Sequence, residues 1–245
     1  MSRVSILQKR FIDKFEVVLL DMGNTFMFDV DRFNESDNLD STYKNLGGDE
    51  LQGDKVFKIA SAIFNQMIAD SQNPDNYNNF PKVSDYLNSH PISSDLAFKE
   101  KNIIEKVIAE HEMGTIPEKY IKALKELAQT HRLGIISDIW SDSESYFQIF
   151  QQAGIKDLFD IILFSSDLGI IKPSPVIFKK AIDYFGIDVS KLVYVGDSFR
   201  RDVRGAKNVG ISAIWINADN EDFDRSSNMV FPDITVRDLM DILSV

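Results

Sequence analysis

Five short apolar runs, none longer than five residues, recur along this 245-residue chain at residues 17–20, 133–136, 161–164, 192–195 and 212–216. Charged or turn-forming residues bound each run, which is the pattern of a buried strand. Between the last four, apolar residues recur at helical spacing. Strand and helix therefore alternate, as a parallel, doubly wound α/β sheet requires. One helix is expected to open at a Thr115/Glu118 capping box with Pro117 in its first turn, and to carry Ile121, Leu124 and Ala128 on one face. Another opens at Ser174 and Pro175, buries Ile177, Phe178, Ala181 and Ile182, and stops at Gly186.

The interval between the first two runs has a different period. Val56, Ala60, Ile63 and Met67 lie at helical spacing, Ile103, Ile104, Val107 and Ile108 do so again, and no strand pattern separates them. Residues 71–81, rich in Asn, Asp, Ser and Pro, make a loop between these helices. The expected organisation is a core of residues 1–30 and 115–245, interrupted by a helical insertion at 31–114.

A hydrophobic content of 44% supplies a core for a chain of this size. With 27 basic against 38 acidic residues the net charge is −11, which repels nucleic acid and anionic membrane surfaces. Neither is expected as a partner. The absence of cysteine excludes disulfides, thiolate nucleophiles and zinc–thiolate sites. At the N-terminus Gln8, Lys9, Arg10, Asp13 and Lys14 interrupt the apolar residues, and no apolar run approaches the roughly 18 residues of a membrane span. A cytoplasmic location is the expectation, and the sequence leaves the oligomeric state open. His90, His111 and His131 are too few and scattered for a metal cluster and are expected at the surface. The acidic stretch 29–49 reads as a solvated face or loop at the entrance to the insertion.

In a parallel sheet, ligands bind beyond the carboxyl ends of the strands, so the residues following each run form one expected set. They are Asp21-Met22-Gly23-Asn24-Thr25, then Ser137-Asp138, then Lys172-Pro173, and finally Gly196-Asp197-Ser198 with Asp202. Taken singly, each has a bland alternative: Asp21 a turn, Ser137 a cap, Lys172 a solvated loop, Asp197 and Asp202 a helix N-terminus. Together their chemistry is complementary. Three carboxylates offer hard oxygen ligands to Mg²⁺, while Lys172 and Ser137 offer donors to phosphate oxygens.

The segments VVLLDMGNT, LGIISD, IIKPSPVIF and VYVGDSFRRD, in this order, resemble the four motifs of the haloacid dehalogenase superfamily. The resemblance implies a Rossmann-like core, a helical cap in place of the insertion, and Mg²⁺-dependent hydrolysis of a small phosphorylated metabolite. It implies Asp21 as the nucleophile that becomes an aspartyl phosphate, and Lys172 as partner to the nucleophile and phosphate. Asp21, Asp197 and the Gly23 carbonyl would hold the metal, with Asp202 orienting Asp197 or a coordinated water. Ser137 and the backbone N–H groups of Met22 and Gly23 would hold phosphate oxygens. The chain departs from the pattern at Gly23, where such phosphatases carry a second aspartate that serves as acid and base. Asp138, Asp29 and Asp31 are the candidates to replace it. The departure keeps open a phosphate-binding protein with little turnover. The superfamily also includes metal-independent dehalogenases, for which Arg32 is the one arginine near Asp21 placed as a candidate halide acceptor, and phosphonate hydrolases with a cap lysine such as Lys55 or Lys58.

Overall fold

The computed structural model describes residues 10–52, 54–220 and 230–245. Six parallel strands form one sheet: β1 (Val17–Leu20), β2 (Arg132–Ser137), β3 (Phe159–Phe164), β4 (Leu192–Gly196), β5 (Ser212–Ile216) and β6 (Ile234–Val236), in the order β3-β2-β1-β4-β5-β6. Sequence order reverses at β1, which is flanked by β2 and β4, and a crevice for ligand opens beyond the carboxyl ends at such a point. Alternate residues of β1 enter different cores. Val18 and Leu20 join a cluster with Tyr120, Leu124, Tyr146 and Phe150, while Val17 and Leu19 join one with Ile177, Phe178, Ala181 and Phe185. This two-residue period explains why the run is wholly apolar: each face packs beneath its own helices.

Those helices are, in chain order after the insertion, α5 (Glu118–Leu127), α6 (Glu144–Ala153), the short α7 (Ser165–Leu168), α8 (Pro175–Phe185) and α9 (Arg204–Asn208). Helix α8 has the expected ends. The Ser174 hydroxyl accepts the Val176 N–H, and Gly186 closes the helix at φ 62°. Helix α5 corrects the expected capping box: its N-cap is Pro117, without a side-chain cap, and Thr115 instead exchanges two 2.8 Å backbone hydrogen bonds with Phe28. Long-range pairing has taken the threonine away from its local role. Strand β6, absent from the run pattern, has only three residues and an exposed centre, too short to show a period.

The inserted segment contains α1 (Leu39–Asn45), α2 (Asp54–Asp70), α3 (Val83–Ser89) and α4 (Phe98–Glu112). Their apolar faces form a third cluster, to which Trp140 and Ile171 from the sheet side contribute. The outgoing and returning chains pair where they leave the core: besides Phe28 with Thr115, the Asp31 N–H reaches Glu112 O at 3.1 Å and the Arg32 N–H reaches His111 O at 2.8 Å. Gly114 lies in this neck, where an added Cβ would meet Phe28 O at 2.1 Å. Part of the acidic stretch 29–49 is helix rather than loop, since α1 buries Leu39 and Tyr43.

Two histidines expected at the surface are buried. His111 bridges Thr42 Oγ1 and Arg32 O at 2.9 and 3.0 Å, and His131 lies 3.1 Å from Ile12 O and 2.8 Å from Thr130 Oγ1. Their ring nitrogens satisfy polar groups inside the fold; His90 is half-buried. Residues 1–9, including Gln8 and Lys9, lie outside the described residues. No helix among the described residues is long and apolar enough to cross a membrane.

Candidate active site

Strand β1 ends at Leu20, and Asp21 follows while its N–H still bonds to Val195 O of β4 at 2.9 Å. Its carboxylate is thereby fixed at the crevice. The chain then turns back on itself, with the Asn24 N–H on Met27 O and the Met27 N–H on Met22 O, and Asn24 at φ 50°. Among the described residues, the N–H groups of Met22 and Gly23 take no part in the backbone hydrogen bonds of this turn, and both residues line the cleft.

The other strands bring the remaining groups to the same place. Ser137, the last residue of β2, donates its hydroxyl to Asp21 Oδ1 at 2.8 Å. Lys172, 1% exposed, donates to Asp21 Oδ1 and Asp202 Oδ1, each at 2.7 Å, and to the Tyr194 hydroxyl at 3.1 Å. Asp202 uses its second oxygen to accept the Ser198 N–H at 2.8 Å. This carboxylate lies so close to β4 that a Cβ on Gly196 would sit 2.4 Å from its Oδ2. Asp138 Oδ1 accepts the Lys172 N–H at 2.9 Å. The sequence-predicted residues thus converge on one cleft through one ammonium and its carboxylates.

Burial alone would raise the Asp21 pKa, but the charge and hydrogen bond of Lys172, the charge of Arg201 and the Ser137 bond outweigh it and hold the carboxyl below its ordinary value. Lys172 stays cationic: burial lowers its pKa, and the carboxylates of Asp202, Asp21 and Asp138 more than reverse that. Asp197 differs. Burial, with Asp21 and Asp202 beside it, pushes it up to about 7. Its Oδ2 takes one 3.3 Å bond from Asn24 Nδ2, whereas Oδ1 is buried without a partner. Ligand oxygens of Asp21, Asp197 and Asp202 all lie within 4.8 Å of one another. A buried, unpartnered carboxylate oxygen among like charges fits a hard divalent cation, which would supply the missing partner and offset the repulsion.

Three further side chains line this cleft that the strand-end reading did not find. Arg201 belongs to a π-turn, Phe199–Val203, that follows β4, and its charge acts on all three acidic residues of the triad and on Asp138. Asp31 opens onto the cleft at φ 55°; water reaches it through the mouth, yet the enclosing walls still push its carboxyl up to about 6 against the pull of Arg201. Glu112, the last residue of α4, accepts the Trp140 and Ser141 N–H groups at 2.6 and 3.0 Å, one on each oxygen, and burial raises it to about 7. A signal for Glu112 exists in the sequence, because it continues the Ile104–Ile108 stripe at a spacing of four. Asp29, by contrast, is exposed and does not line the cleft, and Arg32 donates to the carbonyls of Glu110 and Met113 in the neck.

A glyceraldehyde 3-phosphate phosphatase of Pyrococcus abyssi is 35% identical over 144 residues, which are 56% of this chain and 58% of that enzyme, so the likeness spans little more than half the relative's length. Among solved structures, an HAD phosphatase from Thermococcus onnurineus superposes with a TM-score of 0.62 at 22% identity, covering 93% of this chain and 96% of that one. A 2-haloacid dehalogenase from Pseudomonas syringae pv. Tomato DC3000 gives 0.64 at 21% identity, covering 94% and 96%. Phosphatase and dehalogenase share the fold equally, so the reaction is decided by the site and not by the superposition. The profile of the haloacid dehalogenase-like hydrolases matches residues 52–216, more than half of the sequence. With its parallel core, inserted helices and acidic cleft, the chain belongs to the haloacid dehalogenase-like hydrolase family.

Proposed function

We propose that this protein is a Mg²⁺-dependent phosphohydrolase of a small phosphorylated metabolite, with Asp21 as the nucleophile. The observation that carries it is the unpartnered Asp197 Oδ1, buried beside Asp21 and Asp202 and next to the Lys172 ion pair. Mg²⁺ held by Asp21, Asp197 and the Gly23 carbonyl would neutralise carboxylate charge and polarise phosphoryl oxygens. Asp202, with both oxygens engaged, fixes Lys172 and the Ser198 turn beside them. An Asp21 oxygen attacks phosphorus, the P–O bond to the leaving group breaks, and the acyl phosphate on Asp21 is then cleaved by water to inorganic phosphate and the free carboxylate. Lys172, Ser137 and the Met22 and Gly23 N–H groups hold phosphoryl oxygens as charge develops on them.

The leaving oxygen needs a proton that Gly23 cannot give. Of the candidates, Asp138 and Asp31 both line the cleft, but Asp138 has one oxygen tied to the Lys172 N–H, whereas Asp31 is free of such a bond and is half protonated at about pH 6. Asp31 is therefore assigned as the acid that protonates the leaving group and the base that then activates water. Residues 31–114 act as the cap, closing the cleft through the paired neck and through bonds such as Phe80 N–H to Gly169 O.

A binding protein with weak turnover is the second reading, favoured by Gly23. Metal-independent dehalogenation is disfavoured because Asp197 Oδ1 would then stay buried without a partner beside Asp21 and Asp202, and because Arg32 is spent on the neck. The test is hydrolysis of p-nitrophenyl phosphate and acetyl phosphate, whose good leaving groups need no acid, with Mg²⁺ or EDTA and with Asp21→Asn. Turnover abolished by EDTA and by the variant supports the phosphohydrolase; a folded, Mg²⁺-binding protein inert on both substrates supports the binding reading.

A further inference from the structure

Beyond the cleft at Asp21 lies a second, larger space. The inner cleft holds about 60 Å³, while the outer cavity holds about 350 Å³, at the small end of the range for metabolite pockets. The inner space suits a phosphoryl group and the outer one the body attached to it. Arg201 lines both, and Arg200 lines the outer one, facing Phe64, Ser71 and Gln72 from the C-terminal end of α2 and the loop after it.

The two guanidiniums are the notable charges there. Among the described residues neither has a carboxylate within the 4.0 Å of an ion pair, and Arg200 spends one N–H on the Tyr77 hydroxyl at 2.8 Å. Each guanidinium carries five donors, so most are open. The carboxylates that share the cavity reach them by charge at most: Asp138 helps to hold Arg201 cationic while its own oxygen is bonded to the Lys172 N–H, Glu112 is committed to Trp140 and Ser141, and Asp31 stands at the junction with the inner cleft. The π-turn explains the placement. Its wider winding sends Arg200 and Arg201 to the cavity while the next residue, Asp202, reaches back beneath Lys172. Arg200, half-buried and bonded only to the Tyr77 hydroxyl among the described side-chain contacts, keeps donors that a ligand's negative group would satisfy.

We propose that the outer cavity selects phosphorylated substrates whose body carries a second anionic group, a carboxylate or another phosphate, with Arg200 as its receptor and Arg201 spanning both anions. The substrate class rests on the phosphohydrolase reading, and the test separates the two. Binding is measured by calorimetry on the Asp21→Asn protein with Mg²⁺, which needs no turnover, using 3-phosphoglycerate and glycerol 3-phosphate as a pair differing in the carboxylate. The acid should bind about tenfold tighter or more, the worth of one charge-assisted pair. Adding Arg200→Met should abolish most of that preference, and Arg200→Lys should leave part of it. Tyr77→Phe, which releases Arg200 from the cap loop but keeps its charge, should retain the preference. Equal affinity for the two ligands, or a preference that survives Arg200→Met, overturns the proposal, as does a loss in Tyr77→Phe as large as in Arg200→Met, which would make Arg200 a latch. Turnover of p-nitrophenyl phosphate by the unmodified protein reports on the phosphohydrolase reading separately: an inert protein that prefers the acid would keep the receptor and lose the reaction.

Discussion

Replacing Lys172 by Met removes one ammonium and leaves two buried carboxylates without their ion-pair partner. Lys172 Nζ makes 2.7 Å contacts to both Asp21 and Asp202, and all three side chains are at most 7% exposed. Stripping one partner from a buried ion pair costs about 3–5 kcal/mol, because the remaining charge keeps its desolvation penalty and loses its compensation. For a chain of this size each kcal/mol lowers Tm by about 2–4 °C, so K172M should melt about 6–20 °C below the parent in metal-free buffer at pH 7. The pH dependence has a definite sign. With Lys172 present, Asp21 has a lowered pKa and contributes stability above its unfolded value, which is lost as acid titrates it. Without the lysine, burial raises both carboxyls, so the variant is penalised at pH 7 and recovers as they protonate at lower pH. The gap between the two proteins should therefore narrow from pH 7 to pH 5. Thermal melts followed by circular dichroism measure it. A K172M protein within about 1 kcal/mol of the parent, or a gap independent of pH, would refute the view that this lysine holds a buried charge cluster together.

Gly23 has room for a side chain, since the nearest atom to an added Cβ is Val30 Cγ2 at 4.0 Å; Gly23→Asp should raise turnover of alkyl phosphates by about 10²-fold or more while changing p-nitrophenyl phosphate little. Asp31→Asn should lower alkyl phosphate turnover by a similar factor and remove the decline in rate expected as pH rises through about 6 and the acid form is lost, visible in pH–rate profiles. Gly196→Ala drives a Cβ against Asp202 Oδ2 at 2.4 Å and should cost about 1–3 kcal/mol in urea unfolding, with loss of activity as Asp202 shifts from Lys172. Asp197→Asn should weaken Mg²⁺ binding in calorimetry, and in the metal-free protein should raise stability at pH 7, because a carboxyl held at about 7 by burial and its acidic neighbours is replaced by a neutral amide.

The strand-end residues were legible because the geometry of a parallel sheet is global: once β1, β2 and β4 are recognised as buried runs, Asp21, Ser137 and Asp197 must emerge at the same edge. Lys172 and Asp202 followed from their motifs, although the double role of Lys172 between two carboxylates needed the fold. Arg201 was hidden by its π-turn, whose winding breaks the α-helical phase on which a sequence reading depends. Glu112 was in phase with the stripe of α4, but the backbone N–H groups that justify its burial lie 28 and 29 residues away. His131 was hidden more deeply, for its carbonyl partner at Ile12 is 119 residues distant. Thr115 carried a true local signal for a helix cap, and its pairing with Phe28 in the neck overrode it.

The central claim is that Asp21 carries the phosphoryl group between substrate and water. It is tested most directly by quenching the protein in acid during turnover of acetyl phosphate with Mg²⁺ and locating the phosphate by peptide mass spectrometry. The account predicts a phosphorylated peptide containing Asp21, absent with EDTA and absent from Asp21→Asn. Phosphate found on another residue, or turnover that persists in Asp21→Asn, would contradict it.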